Sequence, residues 1–172
     1  DSDTEIERFH NAKKLAVEQL SQLHKKMIKS VGEADAAIFE IHQMMLEDLD
    51  YCDSIENIIK SQKVNAEYAI GVTADNFSDM FLAMDDEYMR GRAADVRDVS
   101  ERLINVLNGV DNNIIDDSDQ KYIIAADDLA PSETVQLDKS RVLGFILKNG
   151  SASSHTAILA RSMGIPAIIG IG

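Results

Sequence analysis

The chain has 172 residues and a formal net charge of −13, from 17 basic and 30 acidic side chains. This excess of negative charge argues against binding to nucleic acid or to anionic membranes, and favours a basic protein partner or high solubility. A single cysteine, Cys52, excludes a disulfide within the chain and fits a cytosolic setting. The apolar runs are too short to span a membrane and no signal peptide is visible, so we expect a cytoplasmic globular protein.

The first 110 residues are predicted to form helices. Apolar residues recur every three or four positions from Ile6 to Met27, as on one face of an amphipathic helix, and Gly32 is expected to end that helix. The next predicted helices run from Glu33 to Leu49, from Asp53 to Lys63, from Asn65 to Met84 and from Tyr88 to Leu107. Asn108 and Gly109 are expected to end the last of them.

Strands are predicted only after a polar, acidic linker at residues 111–119. The predicted elements beyond it are strand Tyr122–Ala126, helix Ser132–Leu137, strand Val142–Leu147, helix Thr156–Met163 and strand Ala167–Ile171. Strands that alternate with short helices indicate an α/β unit, and this sheet looks incomplete. We therefore expect a helical domain at residues 1–110 and an α/β domain at residues 111–172, with a hinge at residues 110–119.

One histidine, His155, follows a loop of small residues and precedes a short apolar helix. Ser153 and Ser154 can cap that helix, which leaves the imidazole close to backbone N–H groups without helical partners. A helix start stabilises an anion such as a phosphoryl group, and it opposes ring protonation, so a lone pair remains for attack on phosphorus. Gly164 and Pro166 are suited to ending the helix. These residues alone leave open a phosphohistidine site and a histidine that only caps or packs.

The wider sequence around this histidine resembles a known motif. Residues 150–167 read Gly-x-x-Ser-Ser-His-Thr-Ala-Ile-Leu-Ala-Arg-Ser-Met-Gly-Ile-Pro-Ala, which is similar to the phosphohistidine signature of enzymes that use phosphoenolpyruvate. Three further stretches, at residues 36–48, 86–98 and 125–134, resemble Enzyme I of the bacterial sugar phosphotransferase system. These matches occur in the family's order over nearly the whole chain. The chain therefore resembles the N-terminal half of that family, which binds the phosphocarrier protein HPr and bears the phosphohistidine.

The resemblance implies both a fold and an activity. The implied fold is all-α plus α/β, in which a helical hairpin bundle of the HPr-binding type is joined to a truncated swivelling β/β/α phosphohistidine domain. His155 would carry a phosphoryl group derived from phosphoenolpyruvate and pass it to a histidine of HPr in sugar uptake. The phosphoenolpyruvate-binding domain and its Mg²⁺ are expected outside this chain, which would hold no cofactor and would not phosphorylate itself. We expect this chain to be a monomer and the full-length protein a homodimer.

The resemblance also assigns roles near His155. The Thr134 hydroxyl would orient the active imidazole, although a threonine at a helix start can instead satisfy the local backbone. The residues expected to stabilise the phosphoryl group are Ser154, Thr156 and Arg161. Ser151 and Ala152 stand where the family usually has glycine and arginine, which stiffens the loop and removes a cation.

Enzyme I proteins bind HPr on helices that match residues 36–48 and their neighbours. The expected contact residues are Glu33, His42, Met44, Met45, Glu47, Asp48, Met89 and Arg92. Methionine side chains adapt to an apolar patch, and acidic neighbours attract a basic protein. The alternatives are that the methionines fill the helical core, that the acidic residues form a solvated face, and that His42 is a surface residue without a role. A zinc site at His42 is not expected, because no histidine or cysteine lies close to it in the sequence.

Two other functions remain open at this point. A swivelling domain of a pyruvate phosphate dikinase or a phosphoenolpyruvate synthase carries a similar histidine motif, but the helical segment with residues 87–98 argues against it. A helical interaction module without enzymatic activity, in which His155 is structural, is the second alternative. Incubation with phosphorylated HPr would separate the three.

Overall fold

The computed structural model describes residues 1–110, 120–150 and 154–171, with the backbone but not the side chain of His155. The described chain is mostly helical and contains a three-stranded parallel sheet, which confirms the predicted combination of a helical bundle with a small α/β sheet. It divides into two compact units, Asp1–Asn112 and Asn113–Gly172, which we call the helical unit and the α/β unit. The predicted linker at residues 111–119 lies outside the described residues, and so does the predicted hinge apart from Val110.

Five helices form the described part of the helical unit. They are α1 (Ser2–Val31), α2 (Glu33–Glu47), α3 (Leu49–Gln62), α4 (Ala66–Leu82) and α5 (Glu87–Leu107). Polar side chains begin the last two: Asn65 Oδ1 accepts a hydrogen bond from Tyr68 N at 3.0 Å, and Asp86 Oδ1 accepts one from Tyr88 N at 2.8 Å. The number and order of the predicted helices are confirmed.

The break between α2 and α3 differs from the prediction. The sequence pattern placed Leu49 in the second helix and began the third at Asp53, whereas α2 ends at Glu47 and α3 begins at Leu49. Asp48 causes the break, because it has an extended backbone and its Oδ1 accepts a hydrogen bond from Tyr51 N at 3.0 Å. Leu49 is consequently 76% exposed, as the first residue of a new helix.

The core of the helical unit is aliphatic and aromatic, and one face of α1 packs into it. The buried residues of α1 are Phe9, Ala12, Ala16, Leu20, Leu23 and Met27, and this helix contacts each of the other four. Their periodic spacing confirms the predicted apolar face. Among the described residues, no helix is both long enough and apolar enough to cross a membrane.

The described part of the α/β unit contains three parallel strands in the order β1-β2-β3, with a helix after each of the first two. The elements are β1 (Tyr122–Ala126), α6 (Pro131–Gln136), β2 (Val142–Leu147), α7 (His155–Met163) and β3 (Ala167–Ile169). Their core is built from Leu129, Leu137, Val142, Phe145, Leu147 and Ala160. The third strand was predicted to reach Ile171, but it ends at Ile169 because Gly170 takes a φ of 77°, which is incompatible with a strand.

One face of this sheet carries exposed apolar side chains. Ala125, Ile146 and Ile168 are register partners across the three strands, and Ile123 lies two residues before Ala125 on the same face. Ile123 is 58% exposed and Ile168 is 57% exposed. The described helices of the α/β unit therefore cover the sheet incompletely.

Candidate functional site

The loop that leads to His155 begins at the carboxyl edge of the sheet. Lys148 N donates to Ala126 O at 3.1 Å, and Asn149 N donates to Asp127 O at 2.8 Å. These bonds tie the chain that follows β2 to the chain that follows β1. The loop thus leaves the sheet at the edge where α/β folds commonly bind ligands.

Ser154 caps the start of α7, as predicted. Its Oγ accepts a hydrogen bond from Ala157 N at 3.3 Å, and its backbone is extended. His155 is therefore the first residue of α7, while the buried Thr156, Ala157 and Ala160 hold the helix against the unit. The predicted second cap, Ser153, lies outside the described residues, as do Ser151 and Ala152.

The far end of α7 also follows the prediction. Gly164 adopts the left-handed conformation with φ of 65°, and its N–H bonds to the carbonyls of Ala160 and Arg161. The helix has nine residues, so its backbone dipoles concentrate positive potential at the turn that contains His155. Such a turn stabilises an anionic group bound at its start.

Thr134 lies on α6, which contacts α7. Its side chain is 1% exposed, and its Oγ1 donates to Pro131 O at 2.8 Å. The local backbone bond considered for this residue is thus present, and a hydroxyl can accept a hydrogen bond while it donates one. The predicted approach of Thr134 to the imidazole involves the side chain of His155, which lies outside the described residues.

Arg161 is exposed on the second turn of α7. Its Nε donates to Ala157 O at 3.3 Å, four residues earlier, so the side chain folds back along the helix towards its start. This orientation leaves a positive charge on the outer surface of the helix that begins with His155.

The helical unit contains an apolar groove of about 350 Å³. Its lining residues come from the end of α2, the start of α3, and from α4 and α5: Met44, Met45, Asp48, Asp50, Tyr51, Phe77, Met80, Phe81, Val96 and Val99. Met44 is 70% exposed and Met80 is 48% exposed, so these methionines are not core residues. Burial raises the pKa of the Tyr51 hydroxyl, which lies 2.6 Å from Ser100 Oγ and remains neutral.

Four of the eight predicted partner contacts lie on or beside this groove. Met44, Met45 and Asp48 line it, and Glu47 is exposed beside them. Glu33 is exposed at the start of α2, and Met89 is half-buried near the start of α5. We call the groove and the neighbouring carboxylates of Glu47 and Asp48 the methionine groove.

His42 is not a surface residue, and its predicted role as a direct partner contact is wrong in this structure. The side chain is 0% exposed, and its Nε2 lies 3.4 Å from Asp95 Oδ1 on α5. It follows Phe39 and precedes Leu46 on the buried stripe of α2, which explains the burial. Among the described residues, no group of three or more His, Cys, Asp or Glu could hold a metal ion.

Comparison with known proteins identifies the class. The family described as PEP-utilising enzyme, N-terminal, matches residues 1–92, and the family described as PEP-utilising enzyme, mobile domain, matches residues 118–172. The chain belongs to the phosphoenolpyruvate-utilising enzymes, as its motifs predicted.

Within this class the chain is similar to one particular kind of protein. Curated relatives named phosphoenolpyruvate-protein phosphotransferase include those of Listeria monocytogenes, 42% identical over 170 residues, and of Bacillus subtilis, 39% identical over 170 residues. Each alignment covers 99% of this chain and 30% of the relative, so the chain spans about a third of these proteins.

Two solved structures share the fold. A solution structure of Enzyme I superposes with a TM-score of 0.81 at 36% identity, covering 99% of this chain and 69% of that one. The N-terminal domain of Enzyme 1 - Nitrogen superposes with a TM-score of 0.66 at 27% identity, with the same coverage of each chain. These matches confirm the resemblance drawn from residues 36–48, 86–98, 125–134 and 150–167.

Proposed function

We propose that this chain is the phosphoryl-carrying part of a phosphoenolpyruvate-protein phosphotransferase, with His155 as the carrier. The observation that supports this best is the position of His155 as the first residue of the Ser154-capped helix α7, after a loop at the carboxyl edge of the sheet. A helix start in that place favours an anion bound to the residue that begins it.

The proposed reaction moves a phosphoryl group between two histidines. A ring nitrogen of His155 attacks the phosphorus of phosphorylated HPr, the nitrogen–phosphorus bond to HPr breaks, and the HPr imidazole leaves with the electron pair. The reverse reaction delivers the group to HPr in sugar uptake. Such a transfer depends mainly on positioning and on donors for the phosphoryl oxygens. The start of α7 supplies donors, Thr156 and Arg161 add polar groups, and Thr134 orients the ring.

The methionine groove is the proposed docking surface for HPr. It combines exposed, adaptable methionine side chains with the carboxylates of Glu47 and Asp48. That combination suits a basic protein with a small apolar patch. The chain's net charge of −13 would favour the same encounter.

The remaining proposals concern the full-length enzyme, which we expect in the cytoplasm. We attribute phosphoenolpyruvate binding, its Mg²⁺ and dimerisation to the parts of the relatives beyond the third that this chain spans. The described residues contain no cluster of three or more His, Cys, Asp or Glu that could hold a metal ion.

Labelling by radioactively phosphorylated HPr tests the proposal. We expect acid-labile label on the wild-type chain and none on His155→Ala. Matched controls are His10→Ala and His24→Ala, which remove histidines that contact Glu56 and Glu40 on the helical unit and should leave labelling unchanged. Undiminished labelling of His155→Ala would exclude His155 as the carrier. A wild-type chain that binds HPr without being labelled would instead be an interaction module.

A further inference from the structure

A chain of polar contacts runs from the buried His42 to the surface of α5. His42 Nε2 lies 3.4 Å from Asp95 Oδ1, and Arg92 Nη1 lies 3.4 Å from Asp95 Oδ2. Arg92 Nη2 in turn donates to the Tyr88 hydroxyl, and the guanidinium carbon stands 4.7 Å from the centre of the Tyr88 ring. One carboxylate thus joins a fully buried histidine on α2 to an arginine whose side chain is 19% exposed.

The tautomer of His42 follows from these contacts. Asp95 can only accept, so Nε2 carries the hydrogen and donates it to Oδ1. Among the described residues, Nδ1 is buried without a hydrogen-bond partner. An unpaired lone pair at Nδ1 costs less there than an unpaired N–H would, so the tautomer with its hydrogen on Nε2 fits the site. The ring therefore presents one fixed donor to the carboxylate.

Other arginines of α5 have a different arrangement. Arg90 Nη1 donates to the carbonyls of Met84 and Asp85, which holds the turn before the helix. Arg97 Nε donates to Ser78 Oγ at 3.0 Å, which ties α5 to α4. Arg92 instead contacts Tyr88 and Asp95 on its own helix, with His42 behind the carboxylate.

Arg92 lies one helical turn away from a residue that lines the methionine groove. Val96 lines that groove from α5, and Arg92 lies four residues before it, one turn away on the same side of the helix. On α2, His42 lies three residues before Met45, which lines the groove from the opposite helix. The contacts from His42 to Arg92 thus connect the two helices about one turn away from residues that line the groove.

We propose that His42 is a positioning residue that, through Asp95, holds the Arg92 guanidinium ready to donate to an oxygen acceptor on a docked partner. The inference rests on the proposed docking of HPr in the methionine groove. An arginine loses much rotamer freedom when a partner orders it, and a side chain already held in place loses less. The Nε2–H of His42 fixes the carboxylate, the carboxylate fixes one edge of the guanidinium, and Tyr88 flanks it.

The first test compares two substitutions of the buried ring. His42→Gln keeps an N–H donor near the position of Nε2, whereas His42→Leu removes the donor and keeps an apolar side chain. We expect His42→Leu to weaken HPr binding about threefold to tenfold, because the partner must then order the long side chain of Arg92 itself. His42→Gln should restore the affinity. Calorimetric titration measures the affinities. Equal weakening by both substitutions would mean that the ring acts only through packing, which overturns the proposal.

A double-mutant cycle identifies the residue through which His42 acts. In the Arg92→Ala background, His42→Leu should change HPr affinity by less than about twofold, because the group that it positions is gone. An undiminished effect of His42→Leu in that background overturns the proposal. Asp95→Asn is the second variant and replaces His42→Leu if that variant fails to fold. It should weaken HPr binding by the same factor, about threefold to tenfold.

The last test needs no partner, so it separates this inference from the proposed function. NMR relaxation of the Arg92 Nε–H in the unbound chain should show an ordered side chain in the wild type and in His42→Gln. The order should fall in His42→Leu and in Asp95→Asn. Unchanged order in both overturns the positioning role, even if HPr binds. Loss of order in a chain that does not bind HPr would support the positioning of Arg92 and reject only the docking proposal.

Discussion

Gly150 has a backbone conformation that other residues rarely adopt, with a φ of 105°. A Cβ at this position would lie 3.0 Å from Ile169 Cγ2 on β3 and 3.4 Å from Ser154 Oγ, the cap of α7. We expect Gly150→Ala to lower the free energy of unfolding by about 1–3 kcal/mol, because strain and crowding act together. Urea unfolding, followed by signals of the α/β unit, measures this change.

Gly71→Ala is the matched control for that substitution. Gly71 lies inside α4, and a Cβ there would meet nothing within 4 Å. Alanine is favoured over glycine in a helix interior by about 0.5–1 kcal/mol, so this variant should be slightly more stable than the wild type. If Gly150→Ala unfolds at the wild-type urea concentration, the loop before α7 relaxes around the added methyl group and the predicted strain is absent.

His155 and His42 differ in how far the sequence predicts their surroundings. The start of α7 at His155 follows from a local rule, since Ser154 caps the backbone within three residues. The burial of His42 depends on Asp95, which is 53 residues away along the chain. The position of His42 between Phe39 and Leu46 on one helical stripe favours burial, but the prediction followed the family resemblance, which favoured a surface role. Asp95 itself was missed, because its importance comes only from the packing of α5 against α2.

A cluster of charged side chains connects α1 to the start of α4. Arg8 Nη2 lies 2.6 Å from Glu67 Oε1, and Glu5 Oε2 accepts from Ala66 N at 2.9 Å. Burial opposes ionisation of Glu67, but the hydrogen bond and charge of Arg8 outweigh it and lower the pKa of Glu67 below its ordinary 4.5. The pair therefore joins two helices that are far apart in the sequence.

The pH dependence of stability tests this ion pair. Because the pKa of Glu67 is lower in the folded chain, the pair contributes fully above the unfolded value of 4.5, and its contribution is lost as the pH falls through the folded value. Glu67→Gln should cost about 0.5–1 kcal/mol at neutral pH, a modest figure since the side chains are partly exposed, and less than this at about pH 3. Glu7→Gln, an exposed change on α1, is the control. An equal cost of Glu67→Gln at both pH values would contradict the assignment.

The methionine groove makes a prediction at the level of α2. Met44→Ala should weaken HPr binding by about 1–2 kcal/mol, because an exposed methionine at the centre of a docking surface loses apolar contact when truncated. Its effect on unfolding should be small, since the side chain is 70% exposed. Leu15→Ala on α1, where the side chain is 47% exposed, is the matched control and should leave affinity unchanged. Equal affinities of both variants would leave Met44 as ordinary helix surface.

Element boundaries were harder to predict than the elements themselves. The apolar spacing of α2 continues past its end, so periodicity alone extended the helix to Leu49 and missed the cap at Asp48. The third strand was extended in the same way, because Ile171 continues the apolar run beyond Gly170. In both cases one residue with a specific backbone conformation ended an element that hydrophobicity would have continued.

At the scale of the molecule, the sequence predicted the core of the helical unit but not the exposed apolar side chains of the sheet. The periodic apolar spacing in residues 1–110 predicted helices with apolar faces, and the described helical unit has an aliphatic and aromatic core. The exposed Ile123 and Ile168 could not be predicted from strand periodicity, because apolar strands in a parallel sheet read as covered on both faces. The matched Enzyme I structure contains residues beyond those that this chain covers, since the alignment takes in 69% of it.

The net charge of −13 leads to a prediction about the rate of encounter with HPr. Attraction between an acidic chain and a basic partner acts over a Debye length of about 10 Å at 0.1 M salt and about 3 Å at 1 M. We expect the association rate to fall at least about tenfold over this range, while the dissociation rate changes much less. Stopped-flow fluorescence at several salt concentrations measures both rates.

Two charge reversals separate the local field of the methionine groove from the total charge. Glu47→Lys and Glu18→Lys change the net charge equally, but Glu47 is exposed beside the groove whereas Glu18 is exposed on α1. Glu47→Lys should slow association more and make its salt dependence shallower, because steering depends on the charges nearest the docking surface. Equal effects of the two reversals would mean that the total charge of the chain, and not the carboxylates beside Met44, attracts the partner.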